Sequence, residues 1–178
     1  MTADGIERGV MSINRKVPGP QVHVCQGDII MVDVVNMLQG ASESIHWHGF
    51  HQRATPYMDG VPFITQCPID FATTFRYSFI ATEPGTQFYH SHAGHHKMNG
   101  ILGGIVVHRD RNFDPNAAFY NQDLPEHLMV VSDWMKLDAD MFVPGLRSYP
   151  TGIFLNNILI NGKGTVNDVG FCIDFSLH

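Results

Sequence analysis

From Thr73 to Ile80 the chain alternates without a break: Phe75, Tyr77 and Phe79 fall on one side, Arg76 and Ser78 on the other. Successive side chains of a strand point to opposite faces, so this run can bury one aromatic face only as a β-strand. Similar runs recur. Val22-His23-Val24-Cys25 reads as a short strand, and Gln26-Gly27-Asp28 as a tight turn. Ile29 to Asn36 is β-branched, with Ile30, Val32 and Val34 on the expected core face. Ile101 to His108 is apolar, and its Gly103-Gly104 pair predicts close passage by another backbone. A further strand with a ragged lead-in is expected within residues 1–16. Gly and Pro punctuate these runs, and no helical period is convincing. About eight short strands by residue 108 predict a β-sandwich or barrel.

Two further strands carry the chemistry. Ser44-Ile45-His46-Trp47-His48-Gly49 places His46 and His48 on one face, with Ile45 and Trp47 on the other. Phe88, His90 and His92 likewise share a face. Same-face neighbours stand roughly 6.5–7 Å apart. Such a pair can chelate one metal ion, or hand one imidazole to each of two ions about 3.5–4 Å apart. One His-x-His pair is commonly a chance pairing on a solvated face; two pairs beside aromatics and glycine in one small domain are not. Eleven His against eleven Lys+Arg raises the expectation of a metal site further. Neutral imidazole suits copper, zinc and iron, and spacing alone leaves zinc and copper open. No Cys or Asp lies inside either pair, which leans away from structural zinc.

Net charge of −6 without a Lys/Arg run argues against nucleic acid or an anionic membrane as partner. No stretch of eighteen apolar residues predicts a membrane span, and the first residues lack the pattern of a signal peptide. Cys25, Cys67 and Cys172 are widely spaced and form no zinc pattern, so their pairing stays open.

Residues 109–126 read as a linker, after which β runs resume at His127–Trp134, Ile158–Gly162 and Phe171–Phe175. About fifty residues are too few for a second sandwich of roughly 100. The expected organisation is a first domain over residues 1–112, a linker over 113–126 and an incomplete second domain over 127–178.

His46-Trp47-His48-Gly49 and His90-Ser91-His92 resemble the two N-terminal copper motifs of the multicopper oxidases, laccases above all, with an invertebrate flavour. Pro18-Gly19-Pro20, Gln26-Gly27-Asp28, Met58-Asp59-Gly60-Val61-Pro62, Thr65-Gln66-Cys67-Pro68-Ile69 and Pro84-Gly85-Thr86 are similar to that family in the same order. Ser132-Asp133-Trp134 and Leu159-Ile160-Asn161-Gly162-Lys163-Gly164 resemble the opening of its second domain.

The resemblance implies cupredoxin-like (plastocyanin-like) Greek-key β-sandwiches. It also implies a trinuclear copper cluster, to which His46 brings the type 2 copper, His48 and His90 one type 3 copper, and His92 the other. Asp59 resembles an acid that helps proton supply, with plain turn chemistry as the other reading. Dioxygen and a small reductant such as a diphenol are the implied substrates, the remaining cupredoxin domains the implied partners, and secretion the implied location. Ferroxidase chemistry and a truncated, non-catalytic copper-binding module stay open beside laccase activity. The family's C-terminal His-rich and His-Cys-His motifs, and with them the type 1 site, do not occur in these residues. The expectation is therefore an N-terminal portion, inactive by itself. Cys67 matches a family cysteine that pairs into the second domain, with Cys172 as a possible partner. His95 and His96 read as surface residues or as supports behind the ligands. His23, His51, His108, His127 and His178 read as structural or solvated.

Overall fold

A computed structural model describes residues 2–142 and 157–164. The strands are β1 (Val22–Cys25), β2 (Ile29–Val35), β3 (Ile45–His48), β4 (Thr74–Ile80), β5 (Gly85–Ser91), β6 (Leu102–His108), β7 (Val131–Trp134) and β8 (Asn157–Ile160). Among the described residues helix is confined to single 3-10 turns at Pro56–Met58, Pro125–His127 and Ala139–Phe142. No described helix is long and apolar enough to cross a membrane.

The first six strands form two layers. One sheet has the order β1-β6-β5-β3; the other pairs β2 with β4. The chain crosses between them at β1–β2, β2–β3, β3–β4 and β4–β5, and β1 returns beside β6 in parallel. The alternation read from the sequence is the reason the layers can face each other. Ile30 from β2, Tyr77 and Phe79 from β4, Ile45 and Trp47 from β3, Tyr89 from β5, and Ile105 and Val107 from β6 meet in one core. Trp47 joins the layers, its ring 5.3 Å from Tyr77 and 5.2 Å from Phe79. On the solvent face Asp33 stands opposite Arg76 in the β2–β4 register. Its two carboxylate oxygens accept from Nε and Nη2, each at 2.6 Å. Exposed as it is, this pair contributes to register more than to stability.

A smaller core joins Ala3, Val17, Trp134 and Leu159, and so packs the N-terminal segment against the β7–β8 pair. The Arg8 guanidinium lies 3.8 Å above the Trp134 ring. Asn99 ties the first sandwich to the segment after β7, donating to Asp138 and accepting from the Ala139 N–H.

Three sequence expectations need correction. Residues 2–16 contain no strand; their backbone makes one isolated bridge, Ile13–Lys16, and a bond from Met11 N to Asn99 O. Six strands, not about eight, precede residue 108 among the described residues. Gly103 and Gly104 make room for side chains rather than for a backbone: a Cβ would lie 2.4 Å from the Tyr89 ring at Gly103 and 2.4 Å from Leu128 at Gly104. The run Phe171–Phe175, Cys172 and His178 lie outside the described residues.

Candidate metal centre

β3 and β5 are antiparallel neighbours, and their register sets His46 opposite His90 and His48 opposite Phe88. The residues between the histidines explain why these strands lie as they do. Ile45, Trp47 and Tyr89 are buried in the core, which turns His46, His48 and His90 to the other face.

The ring nitrogens of His46, His48 and His90 come within 4.8 Å of one another. His46 Nδ1 donates to the Asp59 carbonyl at 2.7 Å, which leaves Nε2 as its ligating atom. His90 Nδ1 donates to the Ser91 carbonyl at 2.8 Å and likewise leaves Nε2. That nitrogen stands 3.4 Å from His48 Nδ1. His48 is braced by stacking on Phe88, ring centroids 4.6 Å apart. Burial pushes His90 down to about 4, so its imidazole is neutral at neutral pH and able to ligate. His90 is buried, His46 half-buried and His48 exposed, so the group lies at the rim of the sheet with one side open. Three imidazoles without a thiolate among them are a donor set that copper and zinc both fit.

His92 falls outside this set of nitrogens, although its ring is about as near to that of His46 as the ring of His48 is. Its ring lies 5.5 Å from that of His46 and 6.3 Å from that of His90. It follows the last residue of β5, is exposed, and is tethered through its backbone N–H to Ser44 O at 2.9 Å. Asp59 brings two groups to His46: its carbonyl, and a carboxylate oxygen 3.4 Å from the same Nδ1.

Sequence reasoning offered His96 as a support behind the candidate ligands and missed the acid it meets, Glu43. Glu43, 3% exposed, accepts from Ser91 Oγ at 2.6 Å, from Ser44 N at 2.8 Å and from His96 Nδ1 at 2.9 Å. One carboxylate thus clamps the chain just before β3 to the residue between His90 and His92. The hydrogen bond to Glu43 raises the His96 imidazole above its ordinary range, against the pull of burial. An acid and a histidine 53 positions apart have no spacing signal, so only the fold could reveal them. His95 differs from its neighbour: it reaches Asp140 at 2.9 Å near the surface. Cys25 and Cys67 are exposed and form no disulfide among the described residues; Cys172, the possible partner of Cys67, lies outside them.

Comparison with known proteins agrees with this arrangement. A family model described as multicopper oxidase matches residues 1–112. Laccase-1 of Cryptococcus neoformans var. neoformans is 37% identical over 172 residues, 92% of this chain and 27% of that protein. L-ascorbate oxidase of Cucumis sativus is 37% identical over 163 residues, 90% of this chain and 27% of that protein. Among solved structures, the laccase from Botrytis aclada superposes with a TM-score of 0.82 at 32% identity, covering 94% of this chain and 30% of that one. Fet3p, a multicopper oxidase that functions in iron import, gives 0.77 at 32% identity over 90% of this chain and 30% of its own. The chain spans less than a third of the length of each of these relatives. The all-β layers are therefore those of the cupredoxin-like sandwich, and the chain belongs to the multicopper oxidases, a family of copper-binding oxidoreductases.

Proposed function

We propose that this chain supplies half of the histidines of a trinuclear copper cluster in a laccase-like oxidase that reduces dioxygen to water with electrons from a phenolic substrate. The observation that carries the reading is the convergence of three imidazoles from β3 and β5 within 4.8 Å. His46 would hold the type 2 copper through Nε2. His48 and His90, whose facing nitrogens are 3.4 Å apart, would share one type 3 copper, and His92 would serve the other. Copper, when bound, supplies the one-electron steps between reductant and dioxygen. The protein's own part is to hold the imidazoles in place: the Asp59 and Ser91 carbonyls set the two tautomers, Glu43 locks the strand ends, and the Asp59 carboxylate stands where it can hold a proton beside His46. In this reading residues 1–112 are the first cupredoxin-like domain, 113–126 the linker and 127–178 the start of a second; the protein is secreted and its other cupredoxin domains are its partners.

Replacing His90 and His92 by Ala in the protein carrying all cupredoxin domains should abolish oxygen consumption with a diphenol and lower its copper content. Undiminished turnover would refute the assignment. The likeness to Fet3p supports a second reading, ferrous iron as reductant. Parallel turnover measurements with a diphenol and with ferrous iron decide between them.

A further inference from the structure

We infer that His23 and His108 form a second metal site, for a divalent ion of the zinc class, at the edge of the sheet away from the ligands on β3 and β5. β1 and β6 are parallel neighbours, and His23 Nδ1 faces His108 Nε2 across them at 3.1 Å. Each ring is committed at its other nitrogen. His108 Nδ1 meets an Asp123 carboxylate oxygen at 3.0 Å, and His23 Nε2 meets the Gln21 side-chain oxygen at 3.2 Å. In the tautomers that direct both outer hydrogens to these oxygens, the two inner nitrogens turn lone pairs toward each other. Two lone pairs at that distance repel unless a cation stands between them.

The geometry suits a metal ion. With metal–nitrogen bonds of about 2.0–2.1 Å, a 3.1 Å span gives an angle near 100° at the ion, close to tetrahedral. The candidate copper pair offers an internal comparison: His48 and His90 face each other at 3.4 Å with ring centroids 5.6 Å apart, and His23 and His108 repeat this at 3.1 Å and 5.4 Å. Asp123 completes the carboxylate–histidine–metal relay in which an outer acid orients the ligand and raises its basicity. The two sites are independent. His90 pairs with Leu102, and His108 lies six residues further along β6, roughly 20 Å at 3.3 Å per residue. Occupancy would pin the segment carrying Asp123 onto the sheet, as a clip between the first sandwich and the stretch leading to β7.

Zinc titration of the whole chain against a chromophoric chelator tests this. Wild type should bind one more equivalent than His23→Gln or His108→Gln, and His90→Ala should keep that equivalent, which separates this site from the one above. Circular dichroism would show that these surface substitutions leave the fold intact. Asp123→Asn, which retains both ligands, should weaken this equivalent roughly ten- to hundredfold. Equal stoichiometry in wild type and both glutamine variants would mean that only a proton sits between the rings, and the inference falls.

Discussion

Glu43 shows how a single side chain can govern a site it does not enter. Its three hydrogen bonds tie Ser44, Ser91 and His96 together, and both it and His96 are buried. Because the His96 value is raised, the folded chain holds its proton more tightly than the unfolded chain does. That contribution is fully present below the ordinary value of 6.5 and is lost as pH rises through the raised value. His96→Gln should therefore destabilise the metal-free chain by about 1–3 kcal/mol at pH 6 and by less at alkaline pH. Urea midpoints of both proteins across that range measure it, and a difference independent of pH would contradict the ion pair. Gly60 is a second such residue. Its φ is +80°, and a Cβ there would fall 1.8 Å from the Ile45 carbonyl oxygen. Gly60→Ala should cost at least ~2 kcal/mol. It should also weaken copper binding, because the loop that shifts is the one whose Asp59 carbonyl orients His46; urea unfolding reads the first effect and a calorimetric copper titration the second. The four candidate ligand positions stand out in the sequence because strand spacing and family motif both mark them. Glu43, its pairing with His96 and the contacts of Gly60 do not, because burial and long-range pairing leave no local pattern.

At the scale of elements, the best-read strands were those whose two faces differ. β4 alternates aromatic and polar residues, and its aromatic face is the one in the core. β3 does the same with Trp47 between two histidines: the tryptophan is only 2% exposed and thereby fixes where its neighbours point. Trp47→Ala should cost about 3–5 kcal/mol. Trp47→Phe should cost clearly less, since the indole N–H has no hydrogen-bond partner among the described residues. Thermal denaturation of both variants distinguishes loss of packing from loss of a polar contact. The N-terminal segment was misread for the complementary reason. Residues 2–16 hold apolar side chains such as Val10, Met11 and Ile13, but these pack one at a time against the two cores and pair with no ladder. Composition could not separate that from a strand. Gly103 and Gly104 were seen to need space, yet which neighbour takes it depends on the cross-strand position of Tyr89 and the return of the chain at Leu128.

At the scale of the molecule, the sheets end very differently. The four-stranded sheet is bounded by β1 and β3, each four residues long. The other sheet is a pair of seven-residue strands that, among the described strands, bond only to each other. Its outward face sets Ile29, Met31, Val35 and Ile80 in solvent, between 54% and 66% exposed. Short borders offer an incoming strand little backbone to pair with; a long, apolar, two-stranded ribbon offers a great deal. The isolated chain should thus aggregate by strand addition along β2 or β4, at the flank away from the histidines. Met31→Lys would place a charge on that flank opposite Ser78 without touching either core. It should slow the growth of light scattering in a concentrated solution while leaving copper binding unchanged. The asymmetry of the two sheets then sets how long the material survives in the tube, separately from how well it holds a metal.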